Sequence, residues 1–248
     1  MRFDQFIKSV APVIAMAVAS GAAGCEGGNF SFGGKDGVPL DELDLFGDSP
    51  DTIMLAGPDI VRISEGAGFT IAVEGEPEAR DRMRFLFEDG TLSVMRCDHS
   101  SVNSPSDQAT ISIIMPSPRK LVIAGAGEIH SDTLADGAEI VIAGAGSVFT
   151  PDVETASLDV KLAGSGRYRA SGKVERLDLT IAGSGRVKMG KLKAARAKVK
   201  LAGAGSAVFA SDGKVDASIL GSGSVVVRGG ATCTVKGFGS GTLTCERG

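Results

Sequence analysis

The stretch Leu179-Thr180-Ile181-Ala182-Gly183-Ser184-Gly185-Arg186-Val187 decides the fold. Its glycine pair occurs seven times in the second half of the chain, at Gly125/Gly127, Gly144/Gly146, Gly164/Gly166, Gly183/Gly185, Gly203/Gly205, Gly221/Gly223 and Gly239/Gly241. Successive first glycines are 19, 20, 19, 20, 18 and 18 residues apart. Self-similarity at such a period marks a solenoid, in which each unit adds one layer to a continuous core.

The residues around each pair say what the layers are made of. Four positions before the first glycine stand Leu121, Ile140, Val160, Leu179, Val199, Ala217 and Val235. Two before it stand Ile123, Ile142, Leu162, Ile181, Leu201, Ile219 and then Gly237, and four after it Ile129, Val148, Tyr168, Val187, Ala207, Val225 and Leu243. All share one parity, and alternation at period two is the pattern of strands with one buried face. The opposite parity is mostly polar, as at Glu128, Ser147, Arg167, Arg186, Ser206, Ser224 and Thr242. Only Ala or Ser separates the paired glycines, so each pair reads as a sharp corner at which glycine supplies torsions that a Cβ would forbid. A further apolar mark at Leu134, Val153, Val174 and Leu192 suggests two or three short strands per turn. At about 4.8 Å per stacked strand, seven turns make a rod roughly 30 Å long.

An antiparallel meander also alternates at period two, but it needs a hairpin on both sides of every strand, and only one corner carries the glycine pair. A dinucleotide-binding fingerprint needs a helix after the glycines, and the strands flanking these pairs leave no place for one. The expected fold is therefore all-β, a right-handed parallel β-helix of about seven turns over residues 119–248 with an N-terminal β-rich cap over 52–118.

The 248 residues are 43% apolar and include 35 glycines, an excess that the corners and a glycine-rich stretch near the start account for. Residues 1–25 read as a signal peptide: Arg2 and Lys8 precede an apolar run from Val10 to Ala19 and a small-residue end, Ser20-Gly21-Ala22-Ala23-Gly24-Cys25. The run is too short to span a bilayer, which takes about 20 apolar residues. Ala22-Ala23-Gly24-Cys25 is similar to a bacterial lipobox, which implies lipidation of Cys25, although Ala22 stands where Leu is usual; an ordinary secretory signal is the alternative. Residues 26–51, with Gly27-Gly28, Gly33-Gly34 and an acidic patch from Asp41 to Asp51, read as a flexible tether. Residues 52–118 carry strands without the doublet, around Ile60-Val61-Arg62-Ile63, Phe69–Val73 and Thr91–Met95, with a short helical turn near Pro77. Such a cap covers the exposed strand edges at a solenoid's end.

The Leu179–Val187 segment and its siblings, with Gly57-Pro58-Asp59-Ile60-Val61-Arg62-Ile63-Ser64-Glu65-Gly66 before them, resemble the GIN domain, the head domain of autotransporter adhesins. The likeness covers about residues 52–247. It implies a right-handed parallel β-helix in a secreted or surface-exposed bacterial protein, with adhesion as the family's proposed role and no catalytic residues to carry over.

Cys233 and Cys245 lie six residues before and six after Gly239, both on inward parity. A corner between them brings them together, and outside the cytoplasm the pair is expected to oxidise. Cys97 is left over and reads as a small buried hydrophobe. His99 and His130 are the only imidazoles, and neither is spaced near a second ligand or a nucleophile. No cofactor motif or metal-ligand spacing is present. Asp159 and Asp178 share one outward column in adjacent turns, as a glycosidase or a calcium-assisted lyase requires. That column also holds Lys120, Glu139, Lys198 and Asp216, and reads as a mixed-sign ladder on a solvated face.

The formal charge of −4 hides a strong asymmetry. Residues 161–200 hold twelve Lys or Arg against Glu175 and Asp178, a net of +10, whereas residues 26–118 hold seventeen acids against six bases, a net of −11. Arg167, Arg169, Arg186 and Lys188, three and five positions after the first glycines of successive turns, are expected to form a two-by-two anion-binding patch. Its candidate partners are anionic glycans, lipid head groups or other envelope components, or the acidic N-terminal region of a neighbouring copy. With Tyr168 as the one aromatic in the segment, nucleic acid is not expected. The sequence thus points to a non-catalytic envelope lipoprotein with an adhesin-like binding or scaffolding role. The rivals are a polysaccharide-acting β-helix lyase or glycosidase, and a structural solenoid that self-assembles end to end.

Overall fold

The computed structural model describes residues 31–32, 35–44, 49–96 and 107–246. The signal peptide with Cys25, and also Cys97, His99 and the loop around Pro105, lie outside the described residues, as does much of the tether. Within the described part of that tether, β1 (Ser31–Phe32) and β2 (Lys35–Asp36) form an antiparallel pair, and Val38 bridges to Phe85.

The chain is a β-solenoid of about seven turns. Its regular part comprises β9 (Lys120–Gly125), β10 (Glu128–Ser131), β11 (Ala138–Gly144), β12 (Ser147–Gly164), β13 (Arg167–Gly183), β14 (Arg186–Gly203), β15 (Ser206–Gly221), β16 (Ser224–Arg228), β17 (Thr232–Phe238) and β18 (Thr242–Glu246). These strands stack in parallel with corner on corner: Gly125 pairs with Gly144, then Gly144 with Gly164, Gly164 with Gly183, Gly183 with Gly203 and Gly203 with Gly221.

The two glycines of a pair prove to serve different ends, which corrects the expectation that torsion demands both. The first of each pair, Gly125, Gly144, Gly164, Gly183, Gly203, Gly221 and Gly239, has φ between +111° and +128° and makes the corner. A Cβ on Gly183 would in addition lie 2.5 Å from the Gly164 carbonyl oxygen. The second glycines, Gly127, Gly146, Gly166, Gly185, Gly205, Gly223 and Gly241, are absent from the positive-φ region. They end the corner facing inward, and all but the half-buried Gly241 are buried. Space, not torsion, excludes a side chain there, because a Cβ would meet both a backbone carbonyl oxygen of the previous turn, at 2.6 to 3.1 Å, and the inward residue of that turn. A Cβ on Gly127 would come 2.6 Å from Leu55 Cδ2, on Gly146 2.6 Å from Ile123 Cγ2, on Gly166 2.6 Å from Ile142 Cγ2 and on Gly205 2.8 Å from Ile181 Cγ2. Gly185, Gly223 and Gly241 stand in the same way over Leu162, Leu201 and Ile219.

The inward columns are buried as their parity requires, from Leu121 through Ala217 and from Ile129 through Val225. The expected two or three short strands per turn are instead single strands of 16 to 18 residues in β12 to β15, bent at register shifts such as Thr150/Val153 and Met189/Lys193. Val153, Val174 and Leu192 still face the core at those bends. One outward column departs from polarity: Met54, Val122 and Val141 are buried, and with Ala124 they form a small second apolar cluster.

Residues 52–118 hold β3 (Thr52–Ala56), β4 (Ile60–Glu65), β5 (Thr70–Glu74), α1 (Pro77–Asp81), β6 (Met83–Glu88), β7 (Thr91–Arg96) and β8 (Thr110–Met115). Part of this cap is itself solenoid. β3 pairs in parallel with β9, placing Ile53 beside Leu121 and Leu55 beside Ile123, and β4 pairs in parallel with β10. One hydrogen-bonded sheet therefore runs across the expected boundary between 118 and 119. Spatial order departs from chain order here, because β3 lies between β7 and β9, and β4 between β8 and β10. Within residues 52–118 the antiparallel strand pairs are β5 on β8 and β6 on β7.

In the β3–β4 turn, Gly57 (φ +147°) takes the corner and Asp59 stands where the other turns have their second glycine. Its fully buried carboxylate accepts from Arg96 Nε at 3.0 Å, from Arg96 Nη2, and from the Ala109 backbone N–H at 2.8 Å. One side chain thereby ties the end of β7 to the residue before β8. At the other end Cys233 and Cys245 form a disulfide, with Cα atoms 6.7 Å apart.

Candidate functional site

Strand register assembles a surface that combines exposed charge, a partly exposed ring and a groove. Pairing of β10, β12, β13 and β14 aligns Glu128, Ser147, Arg167 and Arg186 in one outward column. His130, Phe149, Arg169 and Lys188 align two positions along. The expected two-by-two arrangement of Arg167, Arg169, Arg186 and Lys188 is therefore present, with all four side chains exposed. None of the four forms an ion pair among the described residues. Rungs of a parallel sheet lie about 4.8 Å apart, so four cations at this spacing repel one another and attract anions.

The adjoining rungs differ in chemistry. Phe149 is 37% exposed and meets His130 edge to face, with centroids 5.7 Å apart and planes at 72°. His130 Nε2 lies 2.7 Å from Glu128 Oε1. With Ser147, Arg167 and Arg169 these residues line a groove of about 350 Å³. Tyr168, the aromatic inside the basic segment, points the other way. It is fully buried, it shares a 2.8 Å hydrogen bond with Thr150, and burial pushes its phenol well above the usual range. Phe149 escapes a reading along the chain because it lies outside residues 161–200, and only the pairing of Phe149 with Arg169 brings it to the basic patch.

The carboxylate column lies on another strand segment of each turn. Register places Lys120, Glu139, Asp159, Asp178, Lys198 and Asp216 in a continuous ladder. Lys161 Nζ binds Glu139 at 2.6 Å and Asp159 at 3.0 Å, and Lys120 binds Glu139 at 2.9 Å. Burial pushes the Glu139 carboxyl up, but hydrogen bonds from Lys161 and Lys120 outweigh it and leave it below the usual carboxylate range. Asp159 is raised, chiefly by burial, with repulsion from Glu139 and Asp178 adding to it, while Lys161 opposes the shift. Glu139 and Asp159 are thus occupied by ion pairs along the sheet. Among the described residues no group of three His, Cys, Asp or Glu side chains could hold a metal ion, and no helix is long and apolar enough to cross a membrane.

A parallel β-solenoid with one basic outward face and an antiparallel cap is the class that fold and surface define. The family described as "putative auto-transporter adhesin, head GIN domain" matches residues 49–231, and the chain belongs to it. Similar crystal structures include a putative adhesin from Bacteroides fragilis, at 19% identity and a TM-score of 0.73, covering 80% of this chain and 93% of that one. A putative lipid binding protein from Parabacteroides distasonis is 22% identical with a TM-score of 0.65, covering 81% and 94%. A putative adhesin from Parabacteroides merdae is 15% identical with a TM-score of 0.58, covering 81% and 93%. At these identities the likeness shows the fold. No curated protein matches the chain.

Proposed function

We propose that this protein is a non-catalytic binding module of the bacterial envelope, secreted by its N-terminal signal, held at a membrane through a lipid on Cys25, and presenting its basic face to an anionic partner. The observation that carries this reading is the exposed grid of Arg167, Arg169, Arg186 and Lys188, whose members form no ion pair among the described residues. Folding alone gives no reason to stack four cations in adjacent rungs, where each pair is mutually repulsive. Membership of an adhesin head-domain family supports a binding role. The rival of a polysaccharide-acting enzyme is weakened by the ladder, where Lys161 engages both Glu139 and Asp159.

The test is charge reversal of Arg167 and Arg186 to Glu, with binding to envelope extracts and anionic glycans read against salt. Wild-type binding is expected to fall steeply with ionic strength and the reversed variant to lose it. Thermal stability should hold within about 0.5 kcal/mol, as for other exposed substitutions. Salt-independent binding, or equal binding by the reversed variant, overturns the reading. Membrane anchoring is tested separately: Cys25→Ala is expected to move the protein into the soluble fraction.

A further inference from the structure

We propose that the groove beside the basic patch is a saccharide site that takes an acidic sugar, stacking a sugar ring on Phe149 and holding its carboxylate or sulfate on Arg167 and Arg169. The proposal rests on the basic-face reading above and names the ligand class for it.

The argument is one of order along the groove. From β10 to β13 the outward rungs carry Glu128 and His130, then Ser147 and Phe149, then Arg167 and Arg169. An acceptor end, an apolar platform and a cationic end follow one another at rungs about 4.8 Å apart. A simple anion needs only the last of these. Phe149 is among the few large hydrophobic side chains exposed within the described residues, and the His130 ring meets it at a centroid distance of 5.7 Å. The face of an aromatic ring is electronegative and attracts polarised C–H bonds, which line the faces of a pyranose. Two guanidiniums one rung away present planar forks that match carboxylate or sulfate oxygens. Glu128, held in place by His130 at 2.7 Å, offers oxygens that accept from sugar hydroxyls. The volume of about 350 Å³ lies at the lower end of the roughly 300–1,000 Å³ usual for ligand pockets.

The same order argues against the other anionic polymers. A nucleic acid stacks successive bases on several aromatic side chains, whereas this groove offers the single phenyl ring of Phe149, which suits one sugar with hydroxyls toward Glu128 and its acid at the arginine end. A lipid surface would use the whole basic grid through Arg186 and Lys188 and would have no use for an acceptor at the opposite end of the groove.

The full chain is titrated with octasaccharides of three acidic kinds (hyaluronan, galacturonan and heparin-derived), with neutral maltooctaose, and with phosphatidylglycerol vesicles. At least one acidic octasaccharide is expected to bind, and maltooctaose to bind at least about tenfold more weakly, the factor that one charge-assisted contact supplies. Phe149→Ala should weaken binding about tenfold while leaving its salt dependence intact, the loss expected of a stacking contact, and Phe149→Tyr should restore it. Arg167→Gln with Arg169→Gln should flatten the salt dependence. All these side chains point outward, so melting temperatures should match the wild type. If Phe149→Ala binds as the wild type while the arginine variant loses binding, the saccharide site is overturned and the basic-face reading stands. Binding to vesicles without binding to any octasaccharide overturns it in favour of a lipid surface. Binding to none of the probes overturns it outright.

Discussion

The two ends of this rod meet the same difficulty and resolve it differently. Any solenoid finishes in a turn whose outer N–H and C=O groups have no neighbour, an open template for unwanted pairing. At the N-terminal end, extra chain closes it: β6 runs antiparallel on β7, β5 antiparallel on β8, and the Asp59–Arg96 pair is buried beneath them. At the C-terminal end, β17 pairs only with β15 and β18 only with β16 among the described residues. Val235 there is 52% exposed and Phe238 84% exposed, and a covalent bond between Cys233 and Cys245 does what packing does elsewhere. The contrast teaches that the inward parity of a residue is not enough for burial. Val235 occupies the same column as the fully buried Val199 and has no further turn packed against it among the described residues.

The largest effect is expected at the closed end. Asp59→Ala leaves Arg96 buried without its counter-charge and removes the acceptor of the Ala109 N–H, a loss of about 3–5 kcal/mol measurable by chemical denaturation. A loss below about 1 kcal/mol, the size of an exposed ion pair, would mean that the pair contributes little and that antiparallel pairing alone closes this end. Next comes the open end. Replacing Cys233 and Cys245 by Ser should cost about 3 kcal/mol in the chain-entropy account. Hydrogen exchange should place that loss in β17 and β18, with protection of β12 to β14 unchanged. Loss of protection along the whole rod would show that the ends are not independent. The smallest effect concerns Asp212, whose Oδ1 accepts from the Gly230 N–H at 2.9 Å and whose Oδ2 meets Lys193 Nζ at 2.5 Å. The Lys193 hydrogen bond, then that from Gly230, holds this carboxyl below its ordinary value. Its contribution is therefore full above about pH 3.9, the unfolded value, and disappears as pH falls through the lower native one. Asp212→Ala should speed exchange of the Gly230 amide at neutral pH, and the wild type should approach the variant only in acid.

Much of the regular region was legible because a corner that excludes a Cβ and a face that excludes polar groups are both local demands. Gly125 through Gly241, the inward columns and the Cys233–Cys245 pair all follow from counting. The arginine grid was legible for the same reason, since each corner restarts the count and residues equally far past successive first glycines fall side by side. What stayed hidden depends on partners remote in sequence. Why Gly127, Gly166 or Gly223 must be glycine cannot be read beside it, because the atoms a side chain would meet, the carbonyl oxygens of Gly57, Gly146 and Gly205 together with Leu55, Ile142 and Leu201, lie one turn away. Ile53, Leu55, Val61 and Ile63 have the right parity, but Asp59 in place of a glycine disguises their turn, and nothing local says that β7 and β9 flank β3. Arg96 looks like any exposed strand residue until the fold buries it against Asp59. Phe149 looks like an ordinary outward position until Arg169 is placed beside it. Val122 and Val141 break the alternation, and parity alone offers no reason for their burial.

The stacked corner also makes length a discrete variable. Because each first glycine sits on the one before, so closely that a Cβ on Gly203 would lie 2.5 Å from the Gly183 carbonyl oxygen, the corners stay aligned through turns of 18 to 20 residues, the difference being taken up at the register shifts. An insertion of one complete turn would leave all of them in register. Such a rod can grow or shrink only in whole steps of about 4.8 Å, and each added step lengthens the outward columns by one residue. The reach of a binding face along the rod is thus counted in turns, and the gain or loss of one turn would resize that face while leaving the contacts within every other layer as they were.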